Sequence, residues 1–109
     1  MENGKKENAL VSKSEYLAVR IVNLYKHLSN SKKESILSKQ LLRSGTSIGA
    51  NVAEAQEAQS TADFIAKLYI SLKECRESKY WAKLLFRTDY LTEPEFNSLI
   101  KDLNEIYAI

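Results

Sequence analysis

Six residues between positions 69 and 87 combine positive charge with aromatic rings on one predicted helical face. Separations of three or four positions bring residues to the same side of an α-helix. The six are Tyr69, Lys73, Arg76, Tyr80, Lys83 and Arg87. Cations neutralise phosphates and tyrosine rings stack on unpaired bases, so this stripe predicts a surface for RNA or another nucleic acid. The alternative is a solvated basic face whose two tyrosines pack on a neighbouring subunit.

The same segment carries two apolar stripes. The first is expected to face the core of the subunit, and its members are Phe64, Leu68, Leu72, Cys75, Ala82 and Phe86. The second lies on roughly the opposite side and consists of Ile70, Trp81, Leu84 and Leu85. Because a bundle helix needs only one core stripe, the second predicts an interface between subunits with Trp81 as its aromatic anchor. One wide core stripe that wraps round the helix is the alternative.

A polar stripe lies earlier in the chain, within residues 40–55. Its members recur at helical spacing and are Gln40, Arg43, Ser47, Asn51 and Glu54. They are predicted to form a buried or interfacial hydrogen-bond network that fixes the register of packed helices. Gly45 and Gly49 lie in the same segment, and each costs about 1 kcal/mol relative to alanine in a helix interior. Their presence predicts close packing against another helix.

The sequence lacks the patterns that accompany catalysis or metal binding. His27 is the single histidine and lies near the end of the first predicted helix, where it is expected to cap carbonyl groups. Cys75 is the single cysteine and is expected to be a small buried hydrophobe. No nucleophile is paired with a base. We therefore expect a non-enzymatic protein with no metal and no cofactor.

The composition indicates one helical domain. The chain has 109 residues, three glycines and one proline, which disfavours an all-β or disordered chain. Without a long apolar run or a signal peptide, we expect a cytoplasmic protein with no membrane partner. The net charge of +2 is uneven, since residues 64–88 carry six basic and two acidic groups whereas residues 89–109 carry one and five. This asymmetry indicates faces with distinct partners, or helices of opposite sign that pair within a bundle.

Four predicted helix starts share one pattern, a hydroxyl three residues before a carboxylate. The hydroxyls belong to Ser12, Ser31, Ser60 and Thr92. Together with the apolar periodicity they predict helices at about residues 13–29, 33–58, 61–88 and 93–108. The short connections allow only antiparallel neighbours. We therefore predict an all-α, antiparallel up-down four-helix bundle over residues 12–109, preceded by a disordered tail at residues 1–11.

The segment 40–54 resembles the signature helix of a known family. Residues 40–43 read QLLR and residues 47–54 read SIGANVAE, followed by DFI at 63–65 and SLKE at 71–74. These motifs resemble the four-helix-bundle proteins encoded by intervening sequences of bacterial 23S rRNA genes, to which the accessory protein of diversity-generating retroelements is similar. The resemblance covers roughly residues 14–107.

The resemblance implies a four-helix bundle that assembles into a homopentamer and binds nucleic acid, with no enzymatic activity. It also places Arg43 and Glu74 on facing helices, so that Glu74 joins the polar network. Ribosomal RNA, or a ribonucleoprotein that contains a reverse transcriptase, would be the partner. The residues themselves leave a second function open, a protein–protein scaffold that presents a basic face to an acidic partner.

Overall fold

The computed structural model describes residues 2–108 as four α-helices, with side-chain environments from residue 9 onward. α1 spans Glu2–Ser31, α2 spans Leu37–Gln56, α3 spans Thr61–Arg87 and α4 spans Glu93–Ala108. Residues 2–108 contain no β-strand, and the predicted all-α fold class is confirmed.

Neighbouring helices run antiparallel, because residue numbers rise on one helix as they fall on the other along every contact. The contacting pairs are Ile21–Gly45 and Ser14–Gly49 between α1 and α2, Ser44–Ser78 and Ile48–Ser71 between α2 and α3, Phe86–Phe96 and Lys79–Tyr107 between α3 and α4, and Arg20–Ser98 and Lys13–Glu105 between α1 and α4. The four helices therefore close into an up-down bundle in which each is packed beside its neighbours in the sequence.

The core is a single apolar cluster to which all four helices contribute. Its fully or almost fully buried members include Leu17, Ile21, Leu28, Leu41, Ile48, Cys75, Ala82, Leu85, Leu99, Leu103 and Ile106. These residues are four and seven positions apart on α1 and four and three positions apart on α4, as an amphipathic helix requires. Burial of this stripe, rather than intrinsic helix propensity, supplies most of the stability of such helices.

α2 lies between α1 and α3 and meets each of them through small residues. A side chain at Gly45 would collide with Ile21 of α1, and one at Gly49 would lie 3.3 Å from the backbone oxygen of Ser14. On its other side, α2 places the hydroxyl of Ser44 against that of Ser78. The predicted close packing of the two glycines is thus present, and α1 is the helix that approaches them.

α1 begins earlier than the sequence pattern predicts. It starts at Glu2, so Ser12 and Glu15 lie inside a continuous helix and do not cap its start. Leu10 packs against the core cluster, so the apolar face of α1 extends to the N-terminal side of residue 12. Residues 2–11, expected as a disordered tail, are therefore helical in the structure, and Met1 lies outside the described residues.

α2 begins four residues later than predicted, because Glu34 caps it in a different manner. The Glu34 carboxylate accepts hydrogen bonds from the backbone N–H groups of Ile36, Leu37 and Ser38 at 2.7–3.0 Å. Lys33 adopts a positive φ of 59°, which turns the chain from α1 into this cap. Although burial acts in the opposite direction, these hydrogen bonds lower the pKa of Glu34 below its ordinary value.

The starts of α3 and α4 follow the predicted capping pattern. Ser60 accepts a hydrogen bond from the N–H of Asp63 at 3.1 Å. Thr92 and Glu95 form a reciprocal capping box, since each side chain accepts from the other residue's N–H. α4 therefore begins and ends where the sequence predicts.

The core face of α3 is rotated relative to the predicted one. Its buried residues are Ser71, Cys75, Ser78, Ala82 and Leu85. Leu85 is 0% exposed within one subunit, so its assignment to an intersubunit stripe was wrong. The reason is that Ser71 and Ser78, which apolar periodicity ignores, are buried against α2 and move the centre of the core face towards Leu85.

Candidate nucleic-acid interface

The six residues of the basic stripe all lie on the exposed face of α3. Tyr69 is 62% and Tyr80 54% exposed, and the four cations of the stripe, Lys73, Arg76, Lys83 and Arg87, are exposed. The helical spacing of the stripe places it opposite the buried face centred on Ser78. The predicted stripe is thus one continuous, solvent-facing surface that runs along most of α3.

No carboxylate among the described side chains forms a salt bridge with the four cations of the stripe. Among the described side chains, the salt bridges use Lys13, Arg20, Arg43 and Lys67 as cations. The described part of the chain therefore leaves Lys73, Arg76, Lys83 and Arg87 available to a ligand. This distribution matters because a cation already paired with a carboxylate gains less from contact with a phosphate.

Beside the stripe, a chain of polar contacts connects α2 to the ring of Tyr80. Arg43 of α2 forms an ion pair with Glu77 of α3. Glu77 also accepts a hydrogen bond from the indole Nε1 of Trp81 at 3.0 Å. The Trp81 ring in turn meets the Tyr80 ring edge to face, with 5.0 Å between centroids and 72° between planes.

Glu74 lies one turn before Glu77, and its carboxylate has fewer polar partners. Its Oε2 is buried without a hydrogen bond and lies 3.8 Å from Nη1 of Arg43. Burial, reinforced by the neighbouring charge of Glu77, raises the pKa of Glu74, while the charges of Arg43 and Lys73 oppose this rise. The Arg43–Glu74 pair implied by the resemblance is therefore present, but Arg43 is shared between two carboxylates.

Glu77 is the residue of this site that the sequence analysis missed. Its signal was available, since Glu77 follows Glu74 by three positions and precedes Trp81 by four, which places all three on adjacent parts of one helical face. Glu74 and Glu77 thus form an acidic pair beside the basic stripe.

Within one subunit, the polar stripe of α2 does not form a single buried network. Ser47 donates to the carbonyl oxygen of Arg43, and Asn51 donates to that of Ser47, so both bond within α2. Glu54 pairs separately with Lys67 of α3 at 3.0 Å, and Gln40 is exposed. Ser and Asn side chains inside helices commonly bond to the preceding turn, which removes them from contacts between helices.

The three remaining residues of the predicted interface stripe are partly exposed in the subunit. Ile70 is 40% exposed, and Trp81 and Leu84 are half-buried. These three residues leave apolar surface along α3 beside the basic stripe. Scattered surface hydrophobes are normal, but here several follow one helix.

The groups most often used in catalysis lie apart from this surface. His27 is exposed on α1. Cys75 is fully buried, and its burial raises the pKa of its thiol to about 11, so the reactive thiolate is disfavoured. Among the side chains described from residue 9 onward, no three of His, Cys, Asp or Glu form a group that could hold a metal ion. None of the four described helices has the length and apolar character needed to cross a bilayer.

An all-α up-down bundle with one exposed basic and aromatic helix face defines the structural class of this protein. The family described as 23S rRNA-intervening sequence protein matches residues 6–109, and the chain belongs to that family. A solved structure of a protein of unknown function from the S23 ribosomal protein family of Bacteroides thetaiotaomicron VPI-5482 is 56% identical. It aligns over 94% of this chain and 92% of that one, with a TM-score of 0.94. No curated protein matches the chain significantly.

Proposed function

We propose that this protein is a non-enzymatic, homo-oligomeric nucleic-acid-binding protein whose contact surface is the basic stripe of α3. The observation that carries the proposal is the exposure of all six stripe residues on the face of α3 opposite the core. Four cations without carboxylate partners among the described residues supply the attraction for phosphates, and two exposed tyrosines supply rings for bases. Membership of a family named for rRNA intervening sequences supports RNA as the first ligand to test.

Assembly is the second part of the proposal. Ile70, Trp81 and Leu84 would be covered by another copy of the chain in a closed homo-oligomer, with five subunits as the family resemblance implies. A closed ring leaves no unpaired interface, and it would place several basic stripes in one particle. Stripes that bind weakly one by one then act together, since linked sites share a high effective concentration.

The binding test is fluorescence anisotropy with labelled RNA at two salt concentrations. The double reversal Arg76→Glu and Lys83→Glu should abolish binding while helicity and oligomer mass stay unchanged. The matched control is Lys26→Glu with Lys101→Glu, which changes net charge equally at exposed positions on α1 and α4. The control should lose much less affinity, because charge reversal at a contact surface removes specific phosphate contacts.

The same titration separates the proposal from its alternative. Binding through phosphates should weaken steeply as salt rises. Absence of salt-dependent binding to RNA and DNA would contradict the proposal and leave the scaffold function, in which the basic face meets an acidic protein. Binding that survives the double reversal would place the contact elsewhere, with the lysines of the N-terminal region as the next site to test.

The assembly test is independent of any ligand. Light scattering at tens of micromolar protein should give a multimeric mass, and Trp81→Ala should lower that mass if this residue lies in the interface. A monomeric mass for the wild type would contradict the assembly proposal. Leu85→Ala is not an equivalent test, because Leu85 is buried within the subunit and its removal would disturb the core.

A further inference from the structure

The ring of Tyr80 lies in the middle of the basic stripe and is held in a defined orientation. Trp81 contacts it edge to face, with centroids 5.0 Å apart. Such a contact is favourable for two aromatic rings and restricts their relative orientation. Because Tyr80 remains 54% exposed, the rest of the ring is open to solvent on the same face as Arg76 and Lys83.

The position of the Trp81 indole depends on a contact with a second helix, α2. Its indole Nε1 donates to Glu77, and Glu77 is paired with Arg43 of α2. The orientation of the Tyr80 ring therefore depends on the contact between α2 and α3. A ring that is oriented before binding loses less conformational freedom when a base stacks on it.

The second tyrosine of the stripe lies at a spacing that suits one continuous strand. Tyr69 and Tyr80 are eleven positions apart, which corresponds to about 16 Å along an α-helix. Lys73 and Arg76 lie between them on the same face. A strand with the ~3.4 Å rise of stacked bases covers this distance in about five steps.

We propose that the ligand of the basic stripe is an unpaired segment of RNA or DNA, and that Tyr80 is its stacking platform, oriented by the Arg43–Glu77–Trp81 chain. This inference rests on the proposed nucleic-acid-binding function and specifies its ligand. The strand runs along α3 with its phosphates on the four cations and its bases on the two tyrosines. A duplex satisfies the cations but keeps its bases stacked inside, away from the rings. Glu77 acts as a positioning residue, since it touches Trp81 and not the ligand.

The sole tryptophan of the chain reports directly on this site. Trp81 is adjacent to the platform, so titration with an oligouridylate of eight nucleotides should change its fluorescence. An abasic oligomer of the same length carries the same phosphates but no bases. The oligouridylate should bind about tenfold tighter than the abasic oligomer, in the range expected for base–aromatic stacking.

The abasic comparison distinguishes failure of this inference from failure of the function beneath it. If both oligomers bind equally and with salt dependence, the protein binds nucleic acid but Tyr80 is not a stacking platform. If neither oligomer binds at low salt, the nucleic-acid-binding function itself is contradicted. Oligomer mass is checked by light scattering throughout, so that changes in Trp81 fluorescence are not attributed to assembly.

Variants of the platform provide the second test. Tyr80→Ala should weaken single-stranded binding about tenfold and leave duplex binding nearly unchanged, whereas Tyr80→Phe should retain both. Tyr16→Ala is the matched control, since Tyr16 is 65% exposed but lies on α1. Equal single-stranded affinity of Tyr80→Ala and wild type would overturn the proposal.

The role of Glu77 is tested by two substitutions that remove the same charge. Glu77→Gln keeps an oxygen that can accept from the Trp81 indole, and Glu77→Ala does not. Glu77→Gln should therefore bind single strands several-fold tighter than Glu77→Ala, with equal affinity of the two for duplex. Equal single-stranded affinity of these two variants would show that Glu77 does not position the ring.

Discussion

The hydroxyl groups of Ser44 and Ser78 lie 2.8 Å apart between α2 and α3, and both side chains are 0% exposed. A buried hydroxyl without a partner costs free energy, so the two groups satisfy each other across the helix contact. Serine is also small enough for the two backbones to approach closely. The pair therefore defines the register of α2 against α3 at the level of the Arg43–Glu77 ion pair one residue away on each helix.

The two members of this pair should be energetically coupled. Ser44→Ala or Ser78→Ala alone should lower the free energy of unfolding by about 1–2 kcal/mol, because a buried hydroxyl loses a partner. The double variant should lose clearly less than the sum of the two. Chemical denaturation of all four proteins gives the coupling free energy directly. Strict additivity would contradict a direct hydrogen bond between the two hydroxyls.

The cap formed by Glu34 predicts a pH dependence of stability. Hydrogen bonds from α2 lower the pKa of Glu34 below its ordinary value of 4.5, so the folded state favours the charged carboxylate. The resulting stabilisation is fully present above pH 4.5 and is lost as the pH falls through the lower, folded-state pKa. Glu34→Ala should destabilise the protein by about 1–2 kcal/mol at pH 7, as loss of an N-cap does.

The difference in unfolding free energy between wild type and Glu34→Ala should shrink as the pH drops below 4.5. Urea denaturation at pH 7, 5 and 3 measures it. Glu57→Ala is the comparison variant, since Glu57 is exposed at the other end of α2. A pH-independent difference for Glu34→Ala would mean that its carboxylate does not cap α2.

The fold was predictable because local signals and global packing agree in this sequence. The capping residues of α3 and α4 and the apolar periodicity of all four helices point to the same bundle. The start of α1 was mistaken, since the Ser12–Glu15 pattern is also compatible with a helix interior. The start of α2 was mistaken because Glu34 uses its side chain alone as a cap, which the hydroxyl–carboxylate pattern does not describe.

The candidate site was predictable only in part. The exposed stripe follows from helical spacing alone, because side chains of one face stay together whatever packs on the opposite face. The assignment of Leu85 failed because two buried serines, Ser71 and Ser78, belong to the core face of α3. Serine can enter a core when its hydroxyl finds a partner, here Ser44 and the carbonyl oxygen of Ile48, and such partners lie on another helix.

The close approach of α1 to α2 predicts opposite responses at two positions of α2. Gly45→Ala should destabilise by about 1–3 kcal/mol although alanine favours helices, because its methyl group would meet the buried side chain of Ile21. Ala53→Leu should be tolerated, since Ala53 is exposed. Thermal unfolding compares the two variants.

A second-site substitution tests the cause of the Gly45→Ala effect. Ile21→Val removes the terminal methyl that the new side chain would meet, so Gly45→Ala should cost much less in that background than in the wild type. If Gly45→Ala is as stable as the wild type, there is room for a methyl group between position 45 of α2 and Ile21 of α1, which contradicts the close approach.

Arg43 predicts a stability effect that depends on Glu74. Arg43 is half exposed, so its pairing with Glu77 alone should contribute little, but it is also the cation nearest to the buried oxygen of Glu74. Burial and the charge of Glu77 raise the pKa of Glu74 above 4.5. Because the folded state then holds the proton more tightly than the unfolded state, Glu74 lowers stability as the pH rises from 4.5 through the raised folded-state pKa.

Arg43→Ala should therefore cost about 1 kcal/mol at pH 7 by leaving the Glu74 charge less compensated. Glu74→Gln should be neutral or slightly stabilising at pH 7, since it removes a desolvated charge. In the Glu74→Gln background, Arg43→Ala should cost much less than it does alone. Urea denaturation of the wild type, the two single variants and the double variant at pH 7 measures the coupling free energy between Arg43 and Glu74. The same measurement at pH 4 should give a smaller coupling, because protonation removes the charge of Glu74. Equal costs of Arg43→Ala in both backgrounds would mean that Arg43 stabilises the bundle through Glu77 and not through Glu74.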